Sequence, residues 1–288
     1  MSTTIHCYAD SQSHVGHIVI RRPENRNAFT AEMVTAVGEA LVGFGQNDDV
    51  KVVVIRPEGA DLTTGLDAAD AERIYQEAPG GAVRKVPSQR ARALAQSSLW
   101  WGPSGLYNRV LHCPKITILQ ARGRCLDIGL NLSLCCDLVI ADESALFGQP
   151  RWQHVGVDGD VTALIAAVGL KRANEMMFCV PEWDAKTAVD YGLIDKVVPP
   201  NELEDAVMTL ATLCGQVMRD GIVTEKHYVF ASLAKMQIGT GMAIAAVMGG
   251  YGTNLHFRAG EFNFLREARA NGVKAALARG RHHFGSGQ

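Results

Sequence analysis

The chain has no apolar run long enough to cross a bilayer. Its longest, such as Ala163 to Leu170, stop well short of the ~20 residues a spanning helix needs. It has no concentrated charge: 28 Lys and Arg against 30 Asp and Glu leave a net charge of −2, with the basic residues scattered. Nothing here favours a nucleic acid or an anionic membrane surface as partner. Its seven cysteines are odd in number and include no Cys-x-x-Cys, which argues against a disulfide framework and a structural zinc site. The N-terminus does not read as a signal peptide, so reduced thiols in a cytoplasmic protein are expected. Several catalytic and binding motifs are also missing. Gly102-Pro103-Ser104-Gly105 lacks the spacing of a nucleophile elbow, and there is no P-loop. Gly239-Thr240-Gly241 lacks the third glycine of a dinucleotide fingerprint, and Asp158-Gly159-Asp160 lacks the other ligands of a calcium loop. No His-Glu-x-x-His occurs, and no metal is expected.

What is present is ordinary for a water-soluble globular protein: 47% hydrophobic and 20% charged residues over 288 positions, enough for one large domain or a domain with an appendage. Val15 to Arg21 reads as a strand ending before Pro23. Thr30 is suited to cap a helix that places Met33, Val37, Leu41 and Phe44 on one face. Lys51 to Ile55 contains Val-Val-Val-Ile, the pattern of a strand buried on both faces, and Ile116 to Leu119 and Leu138 to Ala141 repeat it. Strands alternating with helical stretches predict an α/β fold with parallel strands. Residues 70–105, punctuated by Pro79-Gly80-Gly81, Pro87 and Gly102-Pro103, read as an insertion covering a site. Trp100 and Trp101 at its end either pack the core or line a pocket. Beyond residue 200 the pattern is helical, with Ala206, Val207, Leu210, Leu213, Cys214 and Val217 at helical spacing and a last helix over Leu265 to Ala278. The expected division is a core over 1–200 and a helical subdomain over 201–288.

Four groups of residues carry a family likeness. They are Arg22-Pro-Glu-Asn-Arg-Asn27-Ala28 after the first strand, Leu62-Thr-Thr-Gly65-Leu66-Asp67 after the buried strand, the long block from Gly123 to Asp160, and Ala185 to Pro199. The long block contains Gly123-Arg-Cys-Leu-Asp-Ile-Gly-Leu-Asn131, Cys136-Asp137-Leu138 and Phe147-Gly-Gln-Pro-Arg151. In this order they resemble the crotonase superfamily of enoyl-CoA hydratases and isomerases, and the tail from Phe264 to Phe284 resembles its last helix. The resemblance implies a β-β-α superhelix with a helical C-terminal trimerisation region, assembled as a homotrimer or dimer of trimers. It also implies an enzyme acting on a coenzyme A thioester, with coenzyme A arriving as part of the substrate and no permanently bound cofactor. Backbone N–H groups at Leu66 and Ile128 would donate hydrogen bonds to the enolate oxygen, and Arg26, Ala28, Thr64 and Asp67 match positions that hold the CoA moiety. A side chain at Ile128, where the family has glycine, is expected to narrow this hole or restrict φ. Arg26 can also be read as a solvated charge.

The chain departs from the pattern where a hydratase carries two glutamates: Asn131 and Arg151 stand there, and neither is a base. Trp152 is a second occupant of the latter position if one residue is inserted. The proton-handling candidate is then Asp160, which matches a working aspartate of dienoyl-CoA isomerases and of dehalogenase and β-diketone hydrolase branches. As a helix N-cap it is equally a structural residue. His154 in the same loop is a candidate general base or a surface histidine. Arg151 can bind a substrate carboxylate or pair with Asp127 or Asp160. The expected activity is isomerase or hydratase chemistry on an acyl-CoA. The alternatives are C–C hydrolysis of a cyclic β-diketone and a non-catalytic CoA-binding protein.

Overall fold

The computed structural model describes residues 4–70, 96–155, 161–238, 257 and 260–285, the side chains of residues 96, 154, 155 and 265 excepted. The strands are β1 (Ile5–Asp10), β2 (Val15–Ile20), β3 (Val52–Pro57), β4 (Ile116–Ala121), β5 (Arg124–Leu126), β6 (Leu138–Asp142), β7 (Leu146–Gly148), β8 (Trp183–Asp184) and β9 (Lys196–Val198). The helices are α1 (Ala31–Gln46), α2 (Leu106–Leu111), α3 (Ile128–Cys135), α4 (Trp152–Val155), α5 (Val161–Cys179), α6 (Ala185–Asp190), α7 (Leu203–Gly215), α8 (Arg219–Lys235), α9 (Phe264–Asn271) and α10 (Val273–His283). Six strands form one sheet in the order β1-β2-β3-β4-β6-β9, and β5-β7-β8 form a second. Only the β1–β2 pair is antiparallel in the large sheet; its other pairs are parallel.

The chain order builds a repeating unit. β4 joins the large sheet, β5 the small one, and α3 follows; β6 and β7 repeat this step before α4 and α5. This is the expected β-β-α superhelix. Strand periodicity then divides the core in two. Val53, Ile55, Leu119, Val139 and Ala141 face a cluster containing Met33, Val37 and Leu41 of α1. Val52, Val54, Ile118 and Ile140 face a second cluster with Leu203, Val207 and Ala211 of α7. Successive side chains leave a strand on opposite faces, so an uninterrupted β-branched run satisfies both layers.

The Thr30 cap is formed: Met33 N–H donates to Thr30 Oγ1 at 3.2 Å. Three expectations change. The last helix is two, because Gly272 at φ 84° breaks it between α9 and α10. Leu213 and Val217 do not join the buried face of α7; Leu213 is exposed. Strand β1, of which only Ile5 is buried, adds an edge that no hydrophobic pattern announces. Residues 71–95 of the expected insertion lie outside the described residues.

β2 is buried along its whole length and carries a histidine. His17 stacks on Tyr8 at 4.5 Å between ring centroids. Burial first, and then the Arg56 charge, push its pKa below the ordinary 6.5. The folded protein therefore resists protonation there, and the unfolded chain takes up the proton first as pH falls through the ordinary value. Stability is lost as pH drops from that value toward the lowered folded one. A His17→Phe variant is expected to lose less melting temperature than the wild type between about pH 7.5 and about pH 5.5; equal losses in calorimetric scans would exclude His17 as a source.

Candidate active site

Two motifs far apart in sequence meet as one ledge. Asn27 is completely buried at φ 54° and ties three segments together. Its side chain accepts from Arg22 N–H at 2.7 Å and donates to the carbonyls of Glu58 at 2.9 Å and Asp61 at 2.7 Å. Thr63 Oγ1 donates to the Asn27 carbonyl at 2.7 Å, and Thr64 N–H to the Arg26 carbonyl at 3.3 Å. Phe29 N–H donates to the Gly65 carbonyl, and Asp67 N–H to the Phe29 carbonyl, both at 2.8 Å. The structure thus brings Arg26, Ala28, Thr64 and Asp67 together. Two of these side chains are already engaged. Arg26 Nε lies 2.8 Å from Asp61 Oδ2, although the side chain is 56% exposed. Asp67 Oδ2 lies 2.8 Å from Arg22 Nη1, and Arg22 also donates to the Ala28 carbonyl at 2.8 Å. Burial opposes the Asp67 charge, but the hydrogen bonds from Arg22 and from the Asp70 and Ala69 N–H groups outweigh it and hold the carboxyl below its ordinary range.

The ledge is bonded on its other side to β5: Thr63 N–H donates to the Arg124 carbonyl at 2.8 Å and Leu126 N–H to the Thr63 carbonyl at 3.1 Å. Leu66 lies between the two groups that bond Phe29, so its own N–H points away from Phe29. Ile128 opens α3, where first-turn N–H groups have no intrahelical acceptor. Among the described residues neither the Leu66 nor the Ile128 N–H has an acceptor. The residues preceding them, Gly65 and Asp127, lie against each other. Gly65, at φ 100°, faces Asp127 so closely that a Cβ on it would lie 2.8 Å from Asp127 Cβ and 2.9 Å from Oδ2.

The left-handed residue at the start of α3 is Asp127, at φ 53° and ψ −98°, not Ile128. Ile128 is buried in the main core, so the expected φ restriction falls one residue earlier. Asp127 is held from three directions. Its N–H donates to the Gly148 carbonyl at 2.9 Å, and its carbonyl accepts from Asn131 N–H at 3.1 Å and from Gln149 Nε2 at 3.2 Å. Its carboxylate is 3.4 Å from Arg151 Nη1, the ion pair that was one of the two readings of Arg151. Asn131 is buried on α3 and donates to the Tyr107 hydroxyl at 3.3 Å. Burial first, and then the Asp127 charge, push the Tyr107 phenol well above its ordinary pKa, so it stays neutral. Trp100 and Trp101 pack around Tyr107, with centroids at 5.9 and 4.2 Å, and belong to the core. Trp152 is also buried in the core.

The backbone of His154 belongs to α4, but its side chain, and all of Asp160, lie outside the described residues. Tyr107 and Gln149 are site neighbours that residue pattern did not identify, and Asp127 enters that pattern only as an ion-pair partner of Arg151. The available signal was an aspartate in a glycine-rich turn, since Asp tolerates positive φ better than most residues.

A family model described as enoyl-CoA hydratase/isomerase matches residues 10–268. The chain is 28% identical over 211 residues to a Mycobacterium tuberculosis protein named "Putative enoyl-CoA hydratase EchA13", a match covering 70% of this chain and 66% of that protein. It is 26% identical over 205 residues to the peroxisomal Delta(3,5)-Delta(2,4)-dienoyl-CoA isomerase of Arabidopsis thaliana, covering 70% of this chain and 72% of the relative. The crystal structure of an enoyl-CoA hydratase/isomerase from Xanthobacter autotrophicus Py2 superposes with a TM-score of 0.82 at 23% identity over 98% of both chains, which shows the same fold.

Proposed function

Because the chain belongs to the enoyl-CoA hydratase/isomerase family, we propose that it acts on an acyl-CoA thioester through an enolate whose oxygen is held by the Leu66 and Ile128 N–H groups. The observation that supports this reading is that neither the Leu66 nor the Ile128 N–H has an acceptor among the described residues, while Gly65 and Asp127, the residues before them, lie against each other. Donors aimed at a developing oxyanion contribute roughly 3 kcal/mol each. The ledge of Arg26, Ala28, Thr64 and Asp67 is the surface on which the CoA moiety lies. With Asp67 bound to Arg22, its contact with CoA runs through backbone atoms.

The absence of glutamates at Asn131 and Arg151 disfavours addition of water and favours isomerisation, with Asp160 and His154 as proton-handling groups by position. Asn131 donates hydrogen bonds rather than accepting protons. The Arg151 cation beside the hole also supports a second reading, hydrolysis of a cyclic β-diketone, in which a carbonyl leaves as an enolate. The assembly belongs to the same proposal: a cytoplasmic homotrimer or dimer of trimers, for which exposed Tyr228, Val229 and Met236 supply apolar surface near α8. Among the described residues no helix is long and apolar enough to cross a membrane.

The test is mass spectrometry of products formed in D2O from enoyl-CoA, dienoyl-CoA, aryl-CoA and free cyclic β-diketone. Deuterium uptake with a shifted double bond, and no added water, is the expected outcome. Water addition would contradict the reading of Asn131 and Arg151. Diketone cleavage would select the hydrolase alternative, and thioester binding without turnover the binding-protein alternative.

A further inference from the structure

Asp127 is a buried carboxylate that does not cap the helix it precedes. It precedes α3, where an aspartate ordinarily caps the helix, yet its side chain makes no cap hydrogen bond. Its backbone is left-handed, a conformation glycine adopts at less cost. The three backbone hydrogen bonds at Asp127 would survive any side chain there, because they use only its N–H and C=O. What the side chain adds is a carboxylate, 6% exposed, turned against Gly65 and beside the Leu66 peptide. Arg151 lies 3.4 Å away as counter-ion.

A permanent negative charge at this place opposes the proposed chemistry. Enolate formation puts a second negative charge on the thioester oxygen, held by N–H groups on the peptides that flank Asp127 and Gly65. In a water-poor site two such charges repel strongly. The conflict disappears if the carboxylate is itself the base. One Asp127 oxygen then forms an O–H bond as the α-carbon's C–H bond breaks, and the electron pair of that bond moves through the new C=C to the thioester oxygen. The carboxylate becomes neutral as the oxygen becomes negative. The net charge of the site does not change, and Arg151 remains the counter-ion throughout. Return of the proton to the α-carbon gives exchange, and its delivery to the γ-carbon of an unsaturated chain moves the double bond. Asp127 is restored in either case, and no co-reactant is consumed.

We propose that Asp127 is a catalytic carboxylate of this protein, moving the substrate's α-proton at the mouth formed by the Leu66 and Ile128 N–H groups, with Arg151 as its counter-ion. This rests on the enolate reading above, and goes beyond it by assigning the α-proton to Asp127 in place of Asp160 and His154, which that reading named by position alone. The neighbours fit. Asn131 is engaged with Tyr107, and Tyr107 is neutral, so neither competes for the proton.

The experiment is α-proton exchange of butanoyl-CoA in D2O followed by mass spectrometry, with binding of the same thioester measured by calorimetry. Asp127→Asn keeps the shape and tolerates the left-handed backbone. Exchange is expected to fall by about 100-fold or more, with butanoyl-CoA still bound. Asp127→Gly removes the side chain and relieves the backbone. Its melting temperature is expected to hold or rise while exchange falls equally. Exchange near the wild-type rate in either folded variant overturns the proposal. Loss of the melting transition in both variants overturns it too, by making Asp127 structural. A wild-type protein that binds butanoyl-CoA without exchanging its α-protons removes the enolate reading and this proposal with it, a failure distinguishable because it appears before any substitution.

Discussion

Gly65→Ala is expected to lower turnover by about 100-fold or more while leaving a folded protein. The substitution acts twice at one point. At φ 100° an L-residue is strained wherever it stands, costing about 1 to 3 kcal/mol. The added methyl also meets Asp127 Cβ at 2.8 Å and Oδ2 at 2.9 Å, closer than such atoms approach. Asp127 cannot yield through its backbone, which is bonded to Gly148, Gln149 and Asn131. Either its carboxylate rotates or the Gly65–Leu66 peptide shifts, and the second movement displaces the Leu66 N–H, the proposed oxyanion donor. Loss of one oxyanion donor sets the magnitude. A Gly65→Ala/Asp127→Gly double variant separates the two causes. It removes the contact and keeps the φ strain, so part of the lost stability returns. If Gly65→Ala turns over acyl-CoA at the wild-type rate, the Leu66 N–H is not part of the site.

The features legible in the sequence are those whose cause is local. Val52 to Ile55 is readable because β-branched residues at consecutive positions suit a strand covered on both faces, and the structure supplies both covers. Thr30 is readable because capping is a contact between residues three apart. β5, β7 and β8 are two or three residues long and exist through pairing with each other, so no window of sequence contains their signal. β1 is an exposed edge whose single buried residue, Ile5, gives no period. Gly272 reads as helix until its positive φ is known. The site divides in the same way. Leu66 and Ile128 can be proposed as donors from sequence because backbone donors depend on the order of motifs and not on side chains. Asp127 cannot, because its meaning depends on a backbone conformation and on contact with a glycine from another loop. Gly65 is the counterpart: a glycine in a motif is visible, but what it makes room for is not.

Asp137 belongs to the most recognisable stretch of the chain, Cys136-Asp137-Leu138, yet its contacts make it a fold residue. Its Oδ2 accepts from Thr117 N–H at 2.8 Å and Thr117 Oγ1 at 2.9 Å, and Lys226 Nζ reaches both carboxylate oxygens at 2.6 and 2.7 Å. One side chain thereby joins the start of β6, the strand β4 and the helix α8. The partners differ in exposure: the Lys226 side chain is 6% exposed and that of Asp137 25%. This asymmetry decides which substitution hurts more. Asp137→Ala leaves an ammonium in the interior with no anion and strands the Thr117 donors, and is expected to cost about 3 to 5 kcal/mol. Lys226→Met leaves a carboxylate that keeps two hydrogen bonds and some water, and fills the lysine's space with an apolar chain, so about 1 to 2 kcal/mol is expected. In the double variant Asp137→Ala/Lys226→Met neither charge remains to be left unpaired. It should therefore be more stable than Asp137→Ala alone, since a buried pair is costly to break and cheap to replace. Urea denaturation of the four proteins measures each difference. A double variant as unstable as the sum of the two single ones would show that the carboxylate and the ammonium act independently, and the motif would then need another explanation than this junction.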